Sequence, residues 1–291
     1  DELLRIHAEP VVATTMYAQF RVFQAARESG IRVMLDGQGA DELLAGYRAF
    51  QPARLADLLR SGRWGEAATF IRGAKANGLP FREWAAAAEY LVPRRLQESI
   101  RKGFGREAVP PWLNRDWFAS RNFIPAPLDR NADPEGLKAE LRRSFQRTLP
   151  LLLRCEDRNS MAHSVESRVP FLSPPMVDFV QSLPVDLFFD ASGRSKEVFR
   201  RAMQGLVPGE ILERRDKIGF ATPEKAWLRS LQPWVEKLMS EEQISSVPPL
   251  NGPAVRREWA QVMRGTRPFD FRIWRWVNLV AWARQWKVEF S

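Results

Sequence analysis

Hydrophobic positions follow a helical spacing in the first part of the chain and then change to a short continuous run. Between Thr14 and Glu28 the apolar residues fall on one face of an α-helix, with a threonine placed to cap its start and Gly30 placed to end it in a left-handed conformation. Residues 31–35 are nearly all apolar, which is typical of a strand buried on both faces of a parallel sheet. Because a glycine-rich turn and another helical segment follow, the pattern predicts half of a doubly wound α/β unit.

The rest of the chain has mainly helical spacing. Residues 53–60 and 65–76 predict a helical hairpin that is broken at a serine-glycine pair. Further helices are predicted over 134–163 with a break near Pro150, after the N-cap Ser173, over 196–204 and over 271–286. In the last of these, Trp274, Val277, Ala281 and Trp282 are predicted to share one side. Tryptophans at helical spacing indicate core packing more often than base or sugar stacking.

Composition narrows the range of functions. The 291 residues are 45% hydrophobic and 27% charged, as in soluble globular proteins of one or two domains. No apolar run approaches the about 20 residues that a membrane-spanning helix needs, so we expect no membrane partner and a cytoplasmic location. One cysteine excludes an internal disulfide, and two histidines far apart argue against zinc and against a Ser-His pair.

The net charge of +9 favours polyanionic partners such as nucleic acid or a phosphate-bearing substrate. The basic residues are scattered along the chain rather than gathered in one block, as the pairs at 94–95, 142–143 and 256–257 illustrate. A basic helical module that binds nucleic acid without catalysis therefore remains an alternative, but dispersed charge disfavours it. Such a module would show an affinity that falls steeply with salt.

The segment from Asp36 to Glu42 carries the most suggestive chemistry. It reads D-G-Q-G-A-D-E at the end of the predicted strand, where open α/β sheets bind ligands. Glycines 37 and 39 let the backbone approach a ligand, and amides at the start of the next helix attract anions. Asp41 adds an oxygen ligand suited to Mg²⁺ held against phosphate. An ordinary strand-to-helix turn is the alternative, because a single G-x-G is weak on its own.

Four blocks of sequence resemble the asparagine synthetase family, in that family's order. Residues 35–47 read L-D-G-Q-G-A-D-E-L-L-A-G-Y, close to the signature S-G-E-G-x-D-E-l-f-G-G-Y. Residues 157–172 contain D-R-N-S-M-A and V-E-S-R-V-P-F-L, close to D-R-x-S-M-A and v-E-x-R-V-P-F-L-D. Residues 195–202 resemble K-x-x-l-R-x-A, and residues 215–227 resemble R-x-K-x-G-F with a following proline and tryptophan. The four blocks together indicate this family far more specifically than any single block does.

The resemblance implies an α/β fold of the ATP-pyrophosphatase-like (adenine nucleotide alpha hydrolase-like) kind, with a parallel sheet flanked by helices. Residues 1–50 would be the remnant of the nucleotide-binding sheet, and residues 51–291 a mostly helical remainder. The implied reaction activates the side-chain carboxylate of aspartate with ATP as an adenylate, releases pyrophosphate, and lets ammonia displace AMP. Expected cofactors are ATP and Mg²⁺.

Site roles carry over by motif. Gln38 and Lys217 would be catalytic, with Lys217 neutralising charge on the phosphates. Residues that would bind the nucleotide are Asp36, Gly37, Gly39, Asp41 and Lys196, of which Asp41 would also hold the metal. A further group of charged residues is expected to form a buried ion-pair network around the site, or to contact the amino acid, and comprises Asp157, Arg158, Glu166 and Arg168.

Three positions depart from the family pattern. Asp36 replaces the signature serine, and Gln38 replaces a glutamate that is implicated in forming the adenylate. Glutamine keeps an acceptor oxygen but loses the charge, which keeps open a pathway-specific amide- or lactam-forming ligase as an alternative. Ser173 replaces an aspartate, and both are good N-caps.

The family's pyrophosphate loop, S-G-G-x-D-S, is not found, since the chain has no consecutive glycine pair. The glutaminase domain that would supply ammonia is not found either. We therefore expect an amino-terminally truncated synthetase domain that is inactive alone and that exposes an apolar edge strand. A homodimer is one assembly compatible with the sequence, which does not determine the oligomeric state.

Overall fold

The computed structural model describes residues 1–76, 87, 90–92, 109–123, 136–214 and 222–290. Helices dominate this part of the chain. In chain order α1 to α16 span Glu2–His7, Thr14–Glu28, Ala40–Leu43, Gln51–Arg60, Trp64–Ala76, Arg115–Ala119, Leu137–Arg143, Leu149–Met161, Pro174–Ser182, Glu197–Ala202, Gly209–Leu212, Glu224–Ser230, Gln232–Leu238, Glu241–Ser245, Gly252–Met263 and Arg272–Gln285. Two strands, β1 (Val33–Leu35) and β2 (Glu166–Arg168), form a parallel sheet.

Helix α2 confirms the first predicted element. It begins at Thr14 and ends at Glu28, and Gly30 follows with φ +79°, the left-handed conformation expected of a helix terminator. The predicted threonine cap is wrong, because Ala13 is the N-cap and makes no side-chain cap bond. The hydroxyl of Thr14 is buried instead and donates to Oε2 of Glu224 over 2.8 Å.

The sheet joins two distant parts of the sequence. Val33 is paired with Glu166 and Leu35 with Arg168, and the ladder continues where the amide of Asp36 donates to the carbonyl of Arg168 over 2.8 Å. The prediction of a strand buried on both faces is wrong for the described structure, since Val33 and Leu35 are 42% and 74% exposed. In both strands, exposure alternates with a period of two, as expected of a sheet with one covered face, and helix α8 packs against β2.

The helical remainder largely follows the predicted spacing. Helices α4 and α5 form the predicted hairpin, and Gly62 between them has φ +69°. The break predicted near Pro150 lies earlier, as a π-helical turn over Ser144–Thr148. Pro150 stands at the second position of α8, directly after this π-helical turn, so the departure from α-helical bonding lies next to the residue that has no N–H to donate. The start of this segment at Pro134 lies outside the described residues.

Two hydrophobic clusters hold the helices together. One joins α1 to the carboxyl-terminal helices through side chains such as Val255, Trp259 and Trp276, and the other joins α3, α4 and α5 to α7 and α9. The prediction that tryptophans serve packing holds for Trp259 and Trp276, which are 6% and 2% exposed, but not for Trp64, which is 67% exposed. The indoles of Trp274 and Trp282 donate to backbone carbonyls of the amino-terminal segment. Among the described residues, no helix combines the length and apolarity that crossing a membrane requires.

Candidate functional site

The turn after β1 is closed by its own hydrogen bonds. The amide of Gln38 donates to Oδ1 of Asp36 over 3.0 Å, and the amide of Ala40 donates to the carbonyl of Gly37 over 3.3 Å. Helix α3 behind the turn has only four residues, so its dipole is small. Two of the amides predicted to face an anion are therefore engaged within the turn instead.

Position 39 requires glycine for two reasons, its backbone conformation and the close approach of a neighbouring side chain. Its φ is +86°, and a Cβ built on it would lie 2.2 Å from Cδ2 of Leu172. Leu172 belongs to the V-P-F-L block of the sequence. The glycine-rich turn and that block thus pack directly against each other, which the sequence resemblance does not by itself establish.

Asp41 and Lys196 meet beside the turn. Nζ of Lys196 lies 2.7 Å from Oδ1 of Asp41, and the two side chains are 29% and 27% exposed. Lys196 is the N-cap of α10 with φ +60°, and it reaches Asp41 across the position of Gly46. A Cβ at Gly46 would lie 1.8 Å from Oδ1 of Asp41 and 2.6 Å from Cε of Lys196. The structure therefore brings together two residues that the sequence predicted as nucleotide contacts.

The predicted metal role of Asp41 stays a prediction. No group of three or more His, Cys, Asp or Glu side chains arranged to hold a metal ion occurs within the described ranges. Mg²⁺ is often bound by one or two carboxylates together with substrate phosphates, so Asp41 suits the ion only when a phosphate shares it. The described residues do not form a metal cage by themselves, and the oxygens of a bound nucleotide would have to complete the coordination of the ion.

Lys217, the other predicted catalytic residue, lies outside the described residues, as does most of its sequence block. Two members of the block are described, Pro223 and Trp227. Trp227 packs edge-on against Tyr17 of α2, with ring centroids 5.9 Å apart. The carboxyl-terminal end of this block is therefore anchored to the helix that precedes β1.

The predicted buried ion-pair network is wrong. Arg168 pairs with Glu166 over 2.7 Å, but both lie on the exposed face of the sheet with side chains 60% and 56% exposed. Arg158 is 3.7 Å from Glu9, and Asp157 is exposed. Asp157 and Arg158 are not in the core because α8 directs Cys155, Glu156, Asn159 and Ser160 inward, and Glu166 and Arg168 are exposed because they lie on the open face of β2.

Glu156 is the buried carboxylate that the sequence reasoning missed. It is 2% exposed, and its Oε1 accepts a hydrogen bond from the hydroxyl of Ser167. Burial raises the pKa of the Glu156 carboxyl; the Ser167 hydroxyl opposes this, the Asp36 charge adds to it, and the Gln38 side chain opposes it. Through the Ser167 hydrogen bond the residue joins α8 to β2.

A cavity of about 390 Å³ lies between α7, the π-helical turn and α9. Glu42 and Leu43 of α3 line it together with Lys138 and Arg142. Glu42 is 1% exposed and accepts a 2.5 Å hydrogen bond from the hydroxyl of Tyr47. Burial, followed by the Glu42 carboxylate, raises the pKa of Tyr47. None of the predicted site residues that the structure describes lines this cavity.

Comparisons with a family model and with individual known proteins all indicate the same family. A family model described as asparagine synthase matches residues 1–284. Asparagine synthetase [glutamine-hydrolyzing] 1 of Bacillus subtilis is 26% identical over 223 residues, which are 73% of this chain and 34% of that protein. A putative asparagine synthetase [glutamine-hydrolyzing] of Mycobacterium tuberculosis is 26% identical over 288 residues, 94% of this chain and 42% of that protein. The mouse asparagine synthetase is 32% identical over 108 residues, covering 34% and 19% of the two chains. The chain thus spans less than half the length of these relatives.

Proposed function

Because the chain belongs to the asparagine synthase family, we propose that it is part of a ligase that forms an amide on the side-chain carboxylate of aspartate at the expense of ATP. In the proposed reaction the carboxylate attacks the α-phosphate of ATP and pyrophosphate leaves. Ammonia then attacks the carboxyl carbon of the aspartyl-adenylate, and AMP leaves. The relatives named above are asparagine synthetases, which supports this substrate class.

The Asp41–Lys196 pair carries the proposal. A lysine held 2.7 Å from an aspartate places a compact positive charge beside the turn at the carboxyl end of β1. When a nucleotide binds, this lysine is proposed to turn to its phosphate oxygens, leaving Asp41 to hold Mg²⁺ against the same oxygens. Asp36, Gly37 and Gly39 are proposed to shape the turn that receives the nucleotide, with Gln38 and Lys217 as catalytic groups.

We propose that catalysis requires a longer protein than these 291 residues. The chain contains no consecutive glycine pair, so the pyrophosphate loop S-G-G-x-D-S lies outside it. Ammonia is proposed to come from a glutaminase domain, which is likewise outside the chain. The chain alone is expected to make little or no asparagine.

The test uses the full-length protein that contains this chain, supplied with ATP, Mg²⁺, aspartate and ammonium. AMP, pyrophosphate and asparagine should form in equal amounts. Asp41→Asn and Lys196→Ala should each lower the rate about 100-fold, since each removes a charge next to the phosphates. Asp178→Asn, a change to an exposed carboxylate on α9, is the matched control and should keep the rate. Formation of ADP and phosphate instead would overturn the adenylation mechanism.

A second candidate is a ligase of the same family that acts on a pathway-specific carboxylate to form an amide or lactam. It is favoured by Gln38, which stands where the family signature has glutamate. A screen of carboxylate substrates for AMP release separates the two candidates. Activity on free aspartate supports asparagine synthesis, and activity only on a larger precursor supports the second candidate.

A further inference from the structure

The cavity beside α3 has the size of a small-molecule site. Its volume of about 390 Å³ falls in the range of about 300–1,000 Å³ that such sites have. Neither Asp41 nor Lys196 lines it. A molecule bound in this cavity would therefore occupy a different place from the nucleotide of the proposed reaction.

The cavity is lined by buried and apolar side chains on its inner side. Helix α3 packs against both the π-helical turn and α9, and its residues Glu42 and Leu43 are 1% and 4% exposed. The π-helical turn, a geometry that is frequent at functional sites, forms one of the walls. The apolar wall residues are all buried or half-buried, and are Leu141, Phe145, Val180, Leu183, Val185 and Phe188. Such a lining favours a ligand with an apolar body.

Glu42 places a buried carboxylate in this lining without a cation to balance it. Oε1 accepts the hydrogen bond from the hydroxyl of Tyr47, and no other hydrogen bond or ion pair of the Glu42 side chain occurs among the described residues. With Oε1 engaged, Oε2 is the atom that remains for a ligand. Because an uncompensated charge is costly in the interior, a cationic donor would be stabilised there. An ammonium group supplies both the positive charge and the N–H donors.

The exposed side of the cavity carries the opposite charge. Lys138 and Arg142 lie one turn apart on α7, and both line the cavity and are exposed. Lys138 has no ion-pair partner within the described ranges. A carboxylate at the outer end of a ligand can contact this ammonium group while it remains partly hydrated.

We propose that the cavity binds a small ω-amino acid, with its amine at Glu42, its apolar chain between the walls and its carboxylate at Lys138. An α-amino acid suits the cavity less well, because its amine and its carboxylate share one carbon and cannot reach the buried and the exposed side together. The binding is non-covalent and uses none of the residues assigned to the nucleotide. The inference therefore does not depend on the proposed function.

The test is calorimetry on the full-length protein with three probes that share one chain length, ω-aminooctanoate, octanoate and octylamine. ω-Aminooctanoate should bind about tenfold more tightly than either of the others, since each of those lacks one charge-assisted contact. Octylamine or octanoate binding as tightly as ω-aminooctanoate would overturn the assignment of a ligand with two charged ends.

Two variants separate the two ends of the ligand. Glu42→Gln should weaken ω-aminooctanoate and octylamine about tenfold without weakening octanoate. Lys138→Gln should weaken ω-aminooctanoate and octanoate about threefold without weakening octylamine, a smaller effect because this lysine is exposed. A substitution at an exposed position changes stability little, so Lys138→Gln tests the inference even if Glu42→Gln does not fold.

Glu224→Gln and Lys237→Gln are the matched controls. Glu224 is also a buried glutamate, 2% exposed, that accepts a hydrogen bond from a hydroxyl, and Lys237 is also an exposed lysine, but neither lines the cavity. Both controls should keep the affinity for all probes. The inference is overturned if no probe binds the wild type, or if the cavity variants weaken binding no more than these controls do. A protein that binds ω-aminooctanoate but releases no AMP from ATP with any carboxylate substrate would keep this inference and fail the proposed function.

Discussion

Gly46 is the residue that leaves room for Asp41 and Lys196 to meet. Because a Cβ there would lie 1.8 Å from the carboxylate oxygen and 2.6 Å from the lysine Cε, Gly46→Ala should separate the pair. We expect a loss of about 1–3 kcal/mol in the free energy of unfolding, the usual range for overpacking. Affinity for a Mg²⁺-nucleotide should fall as well, because the lysine is displaced. Urea titration and nucleotide calorimetry on the same preparation measure both effects.

Gly37→Ala is the control for that substitution. A Cβ at Gly37 has no heavy atom within 4 Å, and the glycine does not have a positive φ. The unfolding free energy should therefore stay within about 0.5 kcal/mol, as for other surface changes. Equal destabilisation by the two substitutions would contradict the crowding argument at Gly46.

The sequence predicted Asp41 and Lys196 as nucleotide contacts in two separate motifs, but it did not predict that they contact each other. The buried Glu156 was missed altogether. The family motif D-R-x-S-M-A instead drew attention to Asp157 and Arg158, which match its first two residues. The helical spacing of the sequence could have revealed Glu156. This residue shares one face of α8 with Cys155, Asn159 and Ser160, and all four are buried. The role of Lys217 stays a prediction, because this residue lies outside the described residues.

Among the elements, α1 is fixed to α2 and α8 by a buried polar cluster. Asn159 is fully buried, and its Nδ2 donates to the carbonyl of Met16 over 3.1 Å and to Oε1 of Gln19 over 2.9 Å. Its Oδ1 lies 2.9 Å from Nε2 of His7, which must be the donor because an amide oxygen only accepts. The neutral histidine thus satisfies the last polar atom of the cluster.

This cluster makes the docking of α1 sensitive to acid. Burial is the main cause that lowers the pKa of His7 below its ordinary value of 6.5, so the folded protein holds the proton less tightly than the unfolded chain. The stability that neutral His7 contributes is present above pH 6.5 and is lost as pH falls through the lowered folded pKa. His7→Gln, which keeps a donor for Asn159, should show a smaller loss below pH 6.5 than the wild type. Urea midpoints measured in steps from pH 7.5 to about 5 test this, with Arg5→Gln on the same helix as the control.

A steeper loss of stability at acid pH in the histidine variant than in the wild type would contradict the assignment of His7 as buried and neutral.

The secondary-structure elements were easier to predict from the sequence than the way they pack together. The bounds of α2 follow from local spacing and Gly30, whereas the partner of β1 is a strand more than a hundred positions later, and three-residue strands carry too little pattern to reveal that pairing.

At the scale of the whole molecule, many of the arginines that the structure describes are held in local ion pairs. Arg63 contacts Glu66 and Asp186, Arg194 contacts Glu197, and Arg272 contacts Glu258. The exposed pair of Arg63 and Glu66 adds little stability, whereas Glu197 and Glu258 are buried and depend on their arginine partners for charge compensation. Arginines engaged in such pairs contribute less to the kind of continuous basic track that a nucleic-acid backbone binds.

The uncovered face of the sheet is the other property of the whole molecule, and it predicts self-association of the 291-residue chain. Val33 and Leu35 lie on a strand whose ladder, within the described ranges, is occupied on one edge by β2, so apolar side chains and backbone groups are open together. Leu35→Lys should therefore reduce self-association in sedimentation velocity without lowering the unfolding free energy by more than about 0.5 kcal/mol. Leu206→Lys is the matched control, since Leu206 is 76% exposed against 74% for Leu35 but lies outside the sheet. An equal reduction by both lysines would mean that added charge, and not the strand face, sets the solubility of the molecule.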